Sequence, residues 1–156
     1  MTTSDNHSGA RKVLVAETFF VNRPPEVVFD YLTTPSNLTA WQTSKTRVEQ
    51  LTEGPPQRGT RVRERTKPPG GRAFDQIVEF TEFERPARVR IHIVEGPHAI
   101  DGIWSLERDG DGTRVHFTAE GVLRGVLRVL ERVSKRLIAR QMAASHRNLR
   151  RNLEGG

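Results

Sequence analysis

Cysteine is absent from all 156 positions, so disulfides and thiolate chemistry are excluded. No run of 18 apolar residues occurs, so no segment reads as a helix that crosses a bilayer. Residues 1–12 are polar and have no apolar h-region, so the expectation is a loose tail over 1–11, no secretory signal, and a cytoplasmic protein. Gly-x-Ser-x-Gly is missing as well, and with it the nucleophile elbow of serine hydrolases. Proline does not occur after Pro97, and no glycine lies between Gly125 and Gly155. That last absence marks the most informative stretch of the chain.

Without a breaker, residues 124–154 read as one long amphipathic helix. At 100° per residue, Leu123, Leu127, Leu130, Leu137, Ile138 and Leu149 fall on one broad face, with a row of arginines from Arg124 to Arg150 on the other. Such a helix must lie on something, and mid-helix Leu130 and Leu137 are expected to pack there. Ser134, Gln141 and Ser145 interrupt the apolar face. Three buried polar groups need partners or water: either they are satisfied at a helix–sheet contact, or the helix covers a partly wet cavity.

Charge follows the same division. Residues 124–154 hold nine Lys/Arg and two Asp/Glu, giving +7, while the remainder holds 16 and 17, giving −1. A basic helix on a neutral body can attract nucleic acid or an anionic surface, or can simply be solvated. Nucleic acid is not expected, because the helix has no aromatic residue for base stacking.

The preceding residues form short elements. Residues 13–21 are β-branched and aromatic, as in a strand. Arg23-Pro24-Pro25-Glu26 opens a helix with proline in its first turn, and Pro35-Ser36 begins a second short one with Leu38 and Trp41 facing inward. Six strands follow, at 45–52, 60–67, 73–83, 88–95, 99–108 and 113–121, separated by turn sequences such as Pro68-Pro69-Gly70-Gly71 and Asp109-Gly110-Asp111-Gly112. Their alternation, with Val89, Ile91 and Ile93 opposing Arg88, Arg90 and His92, predicts an antiparallel sheet with one dry face.

This order, with Val21-Asn22-Arg23-Pro24-Pro25-Glu26, Pro35-Ser36-Asn37-Leu38-Thr39-Ala40-Trp41, Gly110-Asp111-Gly112-Thr113 and the closing arginine-rich helix, resembles the START-like helix-grip superfamily of polyketide cyclases, dehydrases and lipid-transfer proteins. The resemblance runs over residues 13–154 and implies a single domain over 12–156. Its fold is α+β, a curved antiparallel sheet of about seven strands wrapped on a long C-terminal helix, with two short helices after strand 1 and an apolar cavity between sheet and helix. The superfamily includes ligand carriers, hormone receptors, aromatase/cyclases and iron-containing oxygenase domains, so fold alone leaves the activity open.

The candidate chemistry is sparse. His7 lies in the tail, His92 and His116 share parity with arginines, and His146 falls on the basic side of the helix. No histidine has a ligand partner at metal-binding spacing, so neither metal nor cofactor is expected. Glu17 and Glu64 share parity with apolar neighbours, and a carboxylate in an apolar cavity can serve as a general base. Alternatively, both pair with cations at the rim. The expected cavity lining is Phe19, Glu64, Thr66, Gln76, Val78, Phe80, Ile91, Ile93, Trp104 and Phe117 from the strands. Ser134, Gln141 and Ser145 come from the helix, and Trp41 with the loops 54–59 and 96–98 forms the mouth. Three functions stay open: binding of a small hydrophobic molecule such as a lipid or polyketide, a cofactor-independent polyketide aromatase/cyclase or dehydratase, and a module that docks through its basic helix.

Overall fold

Period-two alternation puts Val62, Glu64 and Thr66 on the buried face of one strand and Arg61, Arg63 and Arg65 on its exposed face. The same rule organises the sheet of the computed structural model, which describes residues 11–123 and 125–155. The expected tail thus lies outside the described residues except for Arg11, whose guanidinium pairs with Asp101 at 2.9 Å.

Strand β1 (Lys12–Val21) leads into helix α1 (Pro25–Thr33), a 3₁₀ turn (Pro35–Asn37) and helix α2 (Leu38–Trp41). Strands β2 (Lys45–Gln50), β3 (Arg61–Thr66), β4 (Phe74–Glu84), β5 (Arg88–Glu95), β6 (Ala99–Asp109) and β7 (Gly112–Val122) follow. Helices α3 (Val126–Val129) and α4 (Glu131–Glu154) close the chain. The seven strands form one antiparallel sheet in the order β1-β7-β6-β5-β4-β3-β2. Hairpins join β2 through β7, whereas α1 and α2 carry the chain from one sheet edge to the other. Among the described residues, no helix is long and apolar enough to cross a membrane.

The closing helix differs from the expected single rod. Gly125 has φ +61°, α3 makes one turn, and Leu130 leaves the helical region at φ −104°, ψ 40° before α4 begins. Leu130 and Leu137, expected in the core, are 50% and 55% exposed. The buried residues of α4 are Ser134, Ser145, His146, Leu149 and Leu153. Leu149 stands twelve residues beyond Leu137, about 120° around the helix, so one stripe cannot bury both. The C-terminal half of α4 is the more deeply buried, whereas the N-terminal half meets the core only through Ser134, Ile138, Ala139 and Met142 and leaves Leu130, Val133 and Leu137 exposed.

That C-terminal half is fixed at its end by the β1–α1 corner. Arg23 donates to the Leu153 carbonyl (2.8 Å), and the Asn22 amide donates to the Glu154 carboxylate (2.8 Å). A cation on the last carbonyls is favoured by the helix dipole. Leu149, Leu153, Val28, Phe29, Leu32, Leu38 and Trp41 share one core with the inner faces of β1, β6 and β7.

Candidate functional site

The centre of the sheet lacks side-chain volume at one point. Gly102 on β6 pairs with Ala119 on β7 and with Ile91 on β5, so two neighbouring inward positions carry at most a methyl group. The Trp104 ring leans over Gly102, and a Cβ there would stand 2.9 Å from two of its ring carbons. Beside this gap lies a cavity of about 140 Å³. Val78, Ile91, Ile93, Ile100, Trp104 and Phe117 wall it from the sheet, and Ile138 and Met142 of α4 cover it.

One end of the cavity is polar. Lys45 Nζ donates to Glu64 Oε2 (2.8 Å) and Thr66 Oγ1 (2.9 Å), and Gln76 Nε2 donates to the same Glu64 oxygen (2.9 Å). The side chains of Lys45 and Glu64 are 9% and 4% exposed. Register creates this cluster, since Lys45 pairs with Thr66 and Glu64 with Gln76 across β2, β3 and β4. An ammonium has three donors, and the contacts to Glu64 and Thr66 use two of them. Residue type alone does not point Lys45 inward, because a lysine at the start of a strand with three exposed neighbours, Thr46, Arg47 and Glu49, reads as a surface group. Its only sequence clue is its place opposite Thr66, which appears once the hairpin register is known.

Behind the cavity wall stands a second polar group. The Trp104 indole N–H donates to His146 Nε2 (3.1 Å), and His146 Nδ1 meets Glu17 Oε1 at 2.5 Å. An indole can only donate, so Nε2 carries the lone pair and Nδ1 carries the proton toward Glu17. Phe19 stacks on the imidazole at 4.4 Å, and Trp41 lies on it at 6.1 Å. His146, placed by the sequence on the basic side, is 1% exposed. It stands nine residues from Leu137, half a turn away on the wheel, and therefore faces the sheet once Leu137 faces out.

The remaining expected residues divide. Glu64, Gln76, Val78, Ile91, Ile93, Trp104 and Phe117 line the cavity. Thr66 sits behind it as a partner of Lys45, and Phe80 packs on Phe83 in the core. Glu17 and Phe19 belong to the His146 cluster instead. Ser145 does not line the cavity; it is buried and its hydroxyl accepts the Thr43 amide (3.1 Å). Ser134 donates to the Leu127 carbonyl (3.3 Å). Ser134 and Gln141 border a separate open groove of about 640 Å³ between α4 and the Pro68–Gly71 turn. Trp41 is core, with its indole N–H unpartnered, and neither it nor the loops 54–59 and 96–98 borders the cavity.

Many charges on the outer sheet face are paired, among them Arg61 with Glu79, Arg63 with Glu49 and Arg65 with Asp75. Burial alone would raise the Asp101 carboxyl, but hydrogen bonds from His92, Arg11 and Arg90 outweigh it and hold the group below its ordinary range. His92 and His116, expected to face water, lie on this face against Asp101 and Glu107. Among the described residues, no group of three or more His, Asp or Glu side chains is placed to hold a metal ion.

Residues 12–154 match the family model described as polyketide cyclase / dehydrase and lipid transport. The chain belongs to that family. A START superfamily protein from Mycobacterium smegmatis superposes with TM-score 0.75 at 14% identity, over 90% of this chain and 97% of that one. The protein TTHA0849 from Thermus thermophilus gives 0.74 at 19%, over 90% and 97%. The di-domain aromatase/cyclase StfQ from the steffimycin biosynthetic pathway gives 0.76 at 12%, over 94% of this chain and 51% of that one. At these identities the likeness establishes the helix-grip fold alone. No curated protein matches the sequence.

Proposed function

We propose that the protein binds a small hydrophobic molecule in the cavity between sheet and α4, with Lys45 and Gln76 orienting a polar group of the guest. The observation that carries this reading is an apolar chamber ending in a buried Lys45–Glu64–Gln76 cluster. Ligand sites are commonly apolar with a few convergent polar groups, and usually hold about 300–1,000 Å³. A chamber of about 140 Å³ therefore suits one ring or the end of a chain. Ile138 borders both the chamber and the larger groove, which gives the rest of a longer guest somewhere to lie. A carbonyl or hydroxyl on the guest can accept the third Lys45 hydrogen.

Titration with an apolar naphthalene-type probe, followed by tryptophan emission, tests this reading. Trp104 forms part of the wall and reports occupancy. The parent is expected to bind at micromolar strength. Ala119→Leu, which fills the gap beside Gly102, is expected to bind at least tenfold more weakly, a loss of about 1.4 kcal/mol. Thr118→Leu, on the opposite sheet face, is expected to bind like the parent. Equal binding by a folded Ala119→Leu variant excludes the chamber as the site.

The family description also favours a second reading, in which the cavity turns over a polyketide-like substrate with Glu64 as proton acceptor. Both donors to Glu64 reach Oε2, so Oε1 is the atom that would meet a substrate proton. Glu64→Gln separates the two readings, because it removes turnover in an enzyme and leaves probe binding within a few-fold in a carrier.

A further inference from the structure

The exposed half of the closing helix has its own pattern. Val126, Val129, Leu130, Val133 and Leu137 are between 50% and 82% exposed. Val126 and Val129, three apart, share one side of α3, Val133 and Leu137, four apart, share one side of the first turns of α4, and Leu130 stands at the junction. Arg128, Arg132 and Arg136 recur every four residues beside them, all exposed. Across residues 125–140 there are five Lys/Arg and one Glu, a net +4. That one acid, Glu131, is already paired with Lys12 and Lys135. The Pro68–Gly71 turn faces the same helix across the groove, and exposed Lys67 and Arg72 flank it.

We propose that this surface docks on an anionic lipid membrane, with the Val126–Leu137 stripe entering the boundary between headgroups and acyl chains and the arginine row resting on lipid phosphates. An apolar stripe beside a basic ladder is the arrangement by which interfacial helices bind anionic bilayers. Charge complementarity selects this occupant: a second copy of the chain would oppose one +4 surface with another, and no aromatic side chain is present on the helix to stack nucleic-acid bases. The surface is independent of whether the cavity is filled. If both functions hold, docking brings the groove, and through Ile138 the cavity, to the bilayer.

Co-sedimentation with vesicles tests the proposal, using phosphatidylcholine alone and phosphatidylcholine mixed with phosphatidylglycerol. The full chain is expected to sediment with the mixed vesicles and to be released by high salt. Replacing Arg128, Arg132 and Arg136 by Gln is expected to weaken partitioning about fivefold per charge. The double substitution Val129→Asp with Val133→Asp, at exposed positions where folding is not at risk, is expected to abolish it. Equal binding to neutral vesicles, binding that survives the Asp pair, or no binding by the parent overturns the proposal. So does a concentration-dependent dimer in solution that the Asp pair dissolves, because a second copy then covers the stripe.

Discussion

Trp104 donates its indole N–H to Nε2 of His146 at 3.1 Å, across 42 residues of sequence. Through that bond, one wall of the cavity is tied to the helix that covers it, and Glu17 of β1 holds the other side of the ring. Replacing His146 by Phe keeps the stacking on Phe19 but leaves a buried indole donor without an acceptor. An unsatisfied buried donor costs about 1–3 kcal/mol, and the lost Glu17 contact adds to it. His146→Phe should therefore lower the unfolding free energy by about 2–4 kcal/mol in urea, whereas His146→Gln, which can still accept from Trp104, should lose less.

The Lys45–Glu64 pair should behave asymmetrically. Removing one partner strands a buried charge and costs about 3–5 kcal/mol, whereas replacing both with apolar residues of similar size is often neutral. Lys45→Met and Glu64→Leu should each destabilise strongly, and the double variant should recover most of the loss. A double-mutant cycle from urea midpoints measures this. Two single losses that simply add would show that the groups do not form one buried unit.

Leucines of the closing helix should divide by position. Leu149 is fully buried, and Leu149→Ala should cost about 2–5 kcal/mol. Leu130→Ala and Leu137→Ala, on the exposed half, should change stability by less than about 0.5 kcal/mol. A loss at Leu137 as large as that at Leu149 would contradict the placement of the helix.

Asp101 should make the fold acid-sensitive. Its folded pKa lies below the ordinary value of 3.8, because three donors outweigh its burial. A depressed folded pKa means that the unfolded chain binds the proton more readily. The stabilisation is thus present above 3.8 and is lost as pH falls through the folded value. Urea midpoints measured from neutral pH down into this acid range should show a decline that Asp101→Asn flattens.

The fold was legible because period-two alternation and turn sequences are local. The β5 strand carrying Val89, Ile91 and Ile93, and the Asp109–Gly112 turn, lie where the residues put them. The same parity turns Glu64, Thr66 and Gln76 inward, and of the two alternatives for Glu64 the burial and the pairing with Lys45 both occur. The place of Lys45 is not legible, because it depends on pairing with Thr66 after a register shift between Lys45 and Arg47. A single helical wheel averages two halves that use different faces, and it places buried His146 among the arginines. Nor does any breaker mark Leu130, so the division between α3 and α4 leaves no trace in residue type. Gly102 and Ala119 are small residues in an apolar pattern, and only the sheet register shows that they adjoin.

The chain contains six isoleucines, of which Ile91, Ile93, Ile100 and Ile138 line the cavity, while Ile77 and Ile103 pair with Arg63 and Arg90 on the opposite sheet face. Isoleucine methyl NMR therefore tests the proposed site directly. On titration with the naphthalene-type probe, the four cavity methyls are expected to shift together with the Trp104 indole N–H, and the methyls of Ile77 and Ile103 to stay in place. Shifts confined to Ile138, or no shift at any of the four, would contradict a ligand cavity between the sheet and the helix.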